Sequence, residues 1–173
     1  CAYQRLPYEE QLALKKRQVE DLIKKAGFTF PVDEIYASPL SRGYRNKMEY
    51  TFGDEEKDGP LALGMHRKNS FYDIVSLKDC HIADRDFTAI LQAVLHYFTS
   101  IGASYYHKVR KEGFLRHLVL RRSVKTGDIL VNLVTTTQAA LDDDAFVNLL
   151  TSTKIDGKIV GILQTLNDSP ADV

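Results

Sequence analysis

The single-residue alternation in "KMEYTF", residues 47–52, constrains the fold more than any other stretch. Met48, Tyr50 and Phe52 fall on one side of an extended chain, and Lys47, Glu49 and Thr51 on the other, because successive strand side chains point to opposite faces. Such a strand buries one face and leaves the other wet, the usual pattern of an antiparallel sheet covered on one side. The runs that follow extend the sheet. "GDEEKDGP" is a polar turn, and "LALGMH" and "FYDIVSL" read as two more strands separated by "RKNS". "FLRHLVLRR" and "DILVNLVTT" flank "SVKTG" and predict a hairpin; the "DG" at 156–157 turns into the strand "KIVGILQTL".

Three helices separate these runs. "PYEEQLALKKRQVEDLIKKAG" carries Leu12, Val19, Leu22, Ile23 and Ala26 on one stripe, with Glu9 and Glu10 near its positive end and Gly27 closing it. "DRDFTAILQAVLHYFTSIG" has Asp84 as its cap, Phe87, Ile90, Leu91, Val94 and Phe98 on one face, and Gly102 at its end. "DDDAFVNLLTST" is a shorter helix with its acids first. The predicted order is α-β-β-β-α-β-β-α-β. It implies an α+β fold, a mainly antiparallel sheet with helices packed on one face, plus an N-terminal helix. The expected division is 1–30 as an N-terminal cysteine-helix segment and 31–173 as the α+β domain.

Charge narrows the functional classes only locally. Lysine plus arginine and aspartate plus glutamate both number 23, so the net charge is zero. The distribution is uneven: Ser104 to Lys125 holds seven Lys or Arg and one acid, whereas Thr126 to Val173 holds two lysines and seven aspartates. Two readings stand for this, a solvated surface or one basic face for an anionic polymer. No run of roughly 18 apolar residues exists to cross a membrane as a helix, and no basic-apolar leader is present. A cytoplasmic location is expected. The chain begins on a cysteine and stops at "NDSPADV" just after a strand-like run, which reads as a piece of a longer protein.

No complete catalytic motif is visible. Glycine-rich nucleotide loops, HExxH, GxSxG and CxxC patterns are all missing, and the five histidines lack metal-ligand spacing. The sharper feature is "GYRNKMEYTF", in which Arg45, Asn46 and Lys47 run straight into the strand. If the Met48 face is core, Arg45 and Lys47 project outward together, about 7 Å apart by strand rise. Arginine supplies a planar fork, lysine a point charge and asparagine both donor and acceptor, a set that can hold a backbone and read a base edge. The other reading is a pair of edge charges that prevent aggregation. In "RHLVLRR", Arg116, Leu118, Leu120 and Arg122 share one face, and His117, Val119 and Arg121 the other. His66 and His117 lie beside arginines in strands, where they contact phosphate or fill a strand edge.

Six blocks taken in order, "YRNKMEYTFGD", "LGMHRKNSFYDIV", "DCHIAD", "FLRHLVLRR", "ILVNLVTT" and "GILQTLNDSPADV", resemble the central region of the RNA (uracil-5-)-methyltransferases. The similarity is greatest to the RumA-type 23S rRNA (uracil-5-)-methyltransferases and covers nearly the whole chain. It implies a small RNA-binding β-barrel before this region and an S-adenosylmethionine-binding domain after it. The implied reaction is attack of a cysteine thiolate at uracil C6, methyl transfer to C5, then removal of the C5 proton by a base. The family's catalytic residues belong to the later domain and have no counterpart here, so this chain alone is expected to be inactive.

The same resemblance implies a [4Fe–4S] cluster held by four thiolates, with Cys1 as the last cysteine of an upstream run and Cys80 as the distant fourth ligand. The alternative for each is a small buried hydrophobe. The tRNA branch lacks the cluster cysteines and is the second candidate; a non-catalytic RNA-binding module is a third. The implied partner is RNA, 23S rRNA first, with no membrane. The expected RNA-facing residues are Arg45, Asn46, Lys47, His66, Arg67, Lys68, Arg116, His117, Arg121 and Arg122.

Overall fold

The computed structural model describes residues 3–70 and 72–170. It divides into two units, residues 1–41 and 42–173, so the break falls later than the expected 30/31. The reason is local. The Tyr8 hydroxyl accepts from the Ser38 amide at 2.6 Å, and the Lys16 ammonium donates to the Asp33 carbonyl at 3.4 Å, so residues beyond 30 stay with the first helix. That helix, α1 (Tyr8–Lys25), closes through Gly27, which adopts φ 84° as a helix stop often requires. None of its residues is buried, and Leu22 on the expected stripe is 65% exposed.

The second unit is the predicted α+β layer. Its elements run β1 (Lys47–Asp54), β2 (Leu61–His66), β3 (Ile74–Ser76), α2 (Arg85–Ser100), β4 (Leu115–Arg122), β5 (Asp128–Thr135), α3 (Asp143–Ser152) and β6 (Lys158–Leu166). Together with α1, this is the order expected from the sequence. The sheet order is β3-β2-β1-β4-β5-β6. All neighbours are antiparallel except β5 and β6, which are parallel and joined through α3. The run "FYDIVSL" yields only three strand residues.

One face of the sheet carries the core. Met48, Tyr50, Phe52, Leu118, Leu120, Ile129, Val131 and Leu133 pack with Phe87, Ile90, Leu91, Val94 and Phe98 of α2 and with Phe146 and Leu150 of α3. Full burial of each such side chain contributes about 1.5–3 kcal/mol. Phe98 centres an aromatic cluster, edge-on to Phe52 at 5.8 Å and tilted against Phe146 at 5.8 Å. Both helices are capped, α2 by the aspartate the sequence implied. Asp84 accepts from the Asp86 amide at 2.9 Å, and Asp142 accepts from the Ala145 amide at 3.0 Å.

A buried carboxylate ties three elements together. Asp86, 3% exposed at the start of α2, accepts from Arg122 Nη1 at 2.8 Å and from the Asp156 and Gly157 amides at 2.9 and 2.8 Å. Arg122 Nη1 also lies 2.6 Å from Asp84 Oδ1, and Arg85 pairs with Asp156. The end of β4, the start of α2 and the entry to β6 therefore meet at one charge cluster.

Candidate nucleic-acid interface

The face opposite the helices is a shallow, open groove. With Met48, Tyr50 and Phe52 buried, alternation sends Lys47, Glu49 and Thr51 to this side. Antiparallel pairing aligns them with β4: Lys47 opposite Arg121, Glu49 opposite Val119, and Thr51 opposite His117. The rows continue across β5 and β6. Arg121 pairs with Leu130, Val119 with Asn132 and then Leu163, His117 with Val134 and then Thr165. These side chains, Thr51 apart, line a space of about 550 Å³.

The chemistry of the rows is graded. Lys47 and Arg121 place two cations side by side at one end. Both are exposed, and Lys47 lies 3.8 Å from Glu49, an ion pair weak enough to exchange for another anion. The middle of the face is polar and hydrogen-bonded, with the Thr165 hydroxyl donating to Asn132 Oδ1 at 3.0 Å. At the other end Thr51 Oγ1 and His117 Nδ1 are 3.3 Å apart. Cations, amides and hydroxyls on an apolar sheet floor are the groups that bind phosphate, ribose and base edges.

The expected residues separate into groups. Lys47, His117 and Arg121 share the open face. Arg45 and Asn46 are exposed and precede β1; the Arg45 amide bonds to the Ile82 carbonyl, and the Asn46 carbonyl accepts from the Arg122 amide. His66, Arg67 and Lys68 are exposed at the end of β2, where Arg67 lies 3.5 Å from Glu55 and 4.0 Å from Asp73.

Arg116 and Arg122 do not join this surface. By strand phase they fall on the side of Leu118 and Leu120, which face the core. Arg122 is held by Asp84 and Asp86. Arg116, 2% exposed, sits where the β4–β5 register shifts between Leu115 and His117. It stacks over Tyr106 at 4.5 Å and donates to the Asn167 and Ser169 carbonyls at 2.8 and 2.5 Å.

Sequence reasoning missed Asn132 and Thr165. The signal was present: Asn132 is a lone amide inside "ILVNLV", in phase with the open face. The basic stretch also hides a cluster, "YYHK" at 105–108, whose placement depends on a loop rather than on periodicity.

Cys80 is a free thiol, half-buried and packed against the core beside Tyr50, whose hydroxyl burial and the nearby Cys80 push up. Cys1 lies outside the described residues. Among the described residues no three His, Cys, Asp or Glu side chains cluster as metal ligands. They therefore do not by themselves fit a four-thiolate cluster. No helix is long and apolar enough to cross a membrane among the described residues.

Comparison with known proteins places the chain. It is 45% identical over its full length to an uncharacterised RNA methyltransferase of Clostridium tetani, and 45% identical over 99% of its length to one of Caldanaerobacter subterraneus. Its homologues are RNA methyltransferases. It spans 38% of the length of each of those relatives. No family model matches. Among solved structures, the tRNA (uracil-54, C5)-methyltransferase of Pyrococcus abyssi in complex with S-adenosyl-L-homocysteine superposes with a TM-score of 0.71 at 26% identity. That match covers 98% of this chain and 37% of the neighbour. The resemblance of the six sequence blocks to RNA (uracil-5-)-methyltransferases agrees with both findings, which do not reach to its 23S rRNA branch.

Proposed function

We propose that this chain is the RNA-holding part of an S-adenosylmethionine-dependent RNA uracil C5 methyltransferase. The reading is carried by 45% identity over the whole of this chain to an RNA methyltransferase, together with the likeness to a uracil C5 enzyme bound to the demethylated donor. The open face supplies the means. Lys47 and Arg121 neutralise successive phosphates of a single-stranded or loop segment, while Asn132, His117 and Thr165 meet ribose or base edges. Arg45 and Asn46 extend the grip ahead of β1. His66, Arg67 and Lys68 form a separate exposed group at the end of β2. A target base held this way is presented out of its stack to the rest of the enzyme.

The RNA is proposed to be 23S rRNA in the cytoplasm, on the resemblance to that branch. A tRNA target is the second reading, favoured by the name of the structural neighbour. Methylation of 23S rRNA and tRNA transcripts by the full-length protein, read as 5-methyluridine by mass spectrometry, separates them. Product on neither RNA overturns the uracil C5 reading.

A cluster role for Cys80 and Cys1 rests on the same branch resemblance. Iron and sulfide in the full-length protein, lost on Cys80→Ser, are the expected result. A full-length protein that purifies without iron under anaerobic conditions removes it.

A further inference from the structure

Next to the open groove, and sharing His117 with it, lies a second concavity of about 390 Å³. Its base is Thr51 and Gly53 of β1 with Ile74 of β3, and its outer wall is the 105–109 loop. A Cβ at Gly53 would come within 2.5 Å of the Ile74 side chain, so that side chain lies over Gly53 in the space a larger residue would fill. The Tyr105 and His107 rings lie 6.4 Å apart and 32° from parallel. Tyr72, 65% exposed, lines the same space from the chain entering β3, where its amide bonds to Ser70 Oγ at 3.3 Å.

The wall is braced. Gln138 receives the Gly113 amide at 2.9 Å and donates to the Lys111 carbonyl at 2.9 Å, and the Tyr106 amide bonds to the Leu115 carbonyl at 2.7 Å. Arg110 reaches Asp58 at 3.5 Å, joining the loop to the turn after β1. Such a site is formed before any ligand arrives, and its size is that of a small-molecule pocket.

Its chemistry selects a ligand class. Aromatic and apolar surface dominates the interior. Asp54, Asp58 and Asp73 line it, and a phosphate placed among three carboxylates would be repelled. Lys57, Lys108 and Arg116 supply cations among the lining groups, and the His117 ring adds a nitrogen donor or acceptor. A flat ring that donates from an amino group, attached to a phosphate left outside, satisfies both sets. We propose that this pocket takes an unpaired, amino-bearing nucleobase, adenine, cytosine or guanine, from the RNA strand lying on the open face. It is thus a site for a neighbour of the uracil and not for the uracil itself. The inference rests on the RNA reading above.

Titration of the ¹⁵N-labelled chain with AMP, CMP, GMP and UMP, followed by ¹H–¹⁵N NMR, tests it. Amide shifts at Thr51, Gly53 and residues 105–109 are expected with at least one amino-bearing nucleotide, at several-fold lower concentration than with UMP. Tyr72→Ala, an exposed position that leaves the fold intact, is expected to weaken that binding at least about fivefold, the lower end of base–aromatic stacking. The pocket assignment is overturned if no nucleotide shifts these amides at millimolar concentration, if UMP binds as well as the others, or if Tyr72→Ala changes nothing. Lys47→Ala with Arg121→Ala keeps the two readings apart. It should weaken binding of an RNA strand while leaving the mononucleotide shifts in place; loss of neither would count against the open face alone.

Discussion

Arg122 donates through Nη1 to Asp86 Oδ2 at 2.8 Å, with the carboxylate side chain 3% and the guanidinium side chain 23% exposed. An arginine that sequence alone offers as an RNA contact is thus held inside the protein. Removing Asp86 would leave the Asp156 and Gly157 amides without their acceptor and Arg122 with Asp84 as its remaining carboxylate. Asp86→Ala is expected to destabilise the chain by about 3–5 kcal/mol, the usual penalty for breaking a buried pair from one side. Urea unfolding monitored by circular dichroism gives the number; a loss below about 1 kcal/mol would mean water replaces the carboxylate.

The open face predicts a salt signature. Each lost phosphate contact with a single strand flattens the slope of log affinity against log salt by about 0.7. Lys47→Ala with Arg121→Ala should therefore flatten it by about 1.4, while Arg67→Ala, already paired to Glu55 and Asp73, changes it little. Fluorescence anisotropy with a labelled RNA loop across a salt series is the measurement. Equal slopes for wild type and the double variant would exclude phosphate contacts at these residues.

Gly113 adopts φ 116°, and a Cβ there would sit 1.9 Å from the Tyr105 carbonyl oxygen. Gly113→Ala is expected to cost about 1–3 kcal/mol of stability, since both the dihedral and the contact resist it. The damage should concentrate in the 105–113 loop. Hydrogen exchange resolved by residue tests this, and uniform acceleration across the sheet would contradict a local effect.

Asp168 accepts from the Thr137 amide and hydroxyl, both at 2.9 Å, and these bonds hold its carboxyl below the ordinary aspartate range, helped by the Arg116 charge. A depressed folded value adds stability above the unfolded aspartate pKa of about 3.9, and that stability fades as pH falls through the folded value. Thr137→Val removes the hydroxyl bond. The variant should be less stable than wild type at pH 7, and the gap should close as the pH falls below about 4. A gap independent of pH would assign the loss to packing instead.

Tyr105 gives a second titration. Burial, then its hydrogen bond to Asp54 and the Asp54 and Asp58 charges, push its hydroxyl up to about 12. Asp54→Asn removes one of those charges, so the Tyr105 titration followed by ¹³C NMR should move down. No movement would place the cause in burial alone.

The architecture was legible because its signals are local. Alternation at Met48, Tyr50 and Phe52 marked the core face, and Asp84 and Gly102 marked the ends of α2; all are in place. The functional surface was half legible. The same alternation puts Lys47, His117 and Arg121 on one side. It cannot reveal that Asp86, far away in sequence, neutralises Arg122, or that a register shift near Leu115 buries Arg116 over Tyr106. Those depend on long-range pairing. The α1 stripe shows the reverse error of scale. Its spacing promises a covered face, but the unit formed by residues 1–41 is too small to cover it, and Val19 is 47% exposed.

The parallel union of β5 with β6 has a kinetic meaning. A hairpin can zip from its turn, but parallel neighbours wait for the whole connecting helix to form and swing across. The last rung of this sheet should then be the slowest to arrive and the first to leave, with its amides exchanging ahead of those in the central ladder. Fraying is opposed at both ends of this nine-residue strand: the Asp86 carboxylate grips the chain at Asp156 and Gly157, and the Arg116 guanidinium grips it at Asn167 and Ser169.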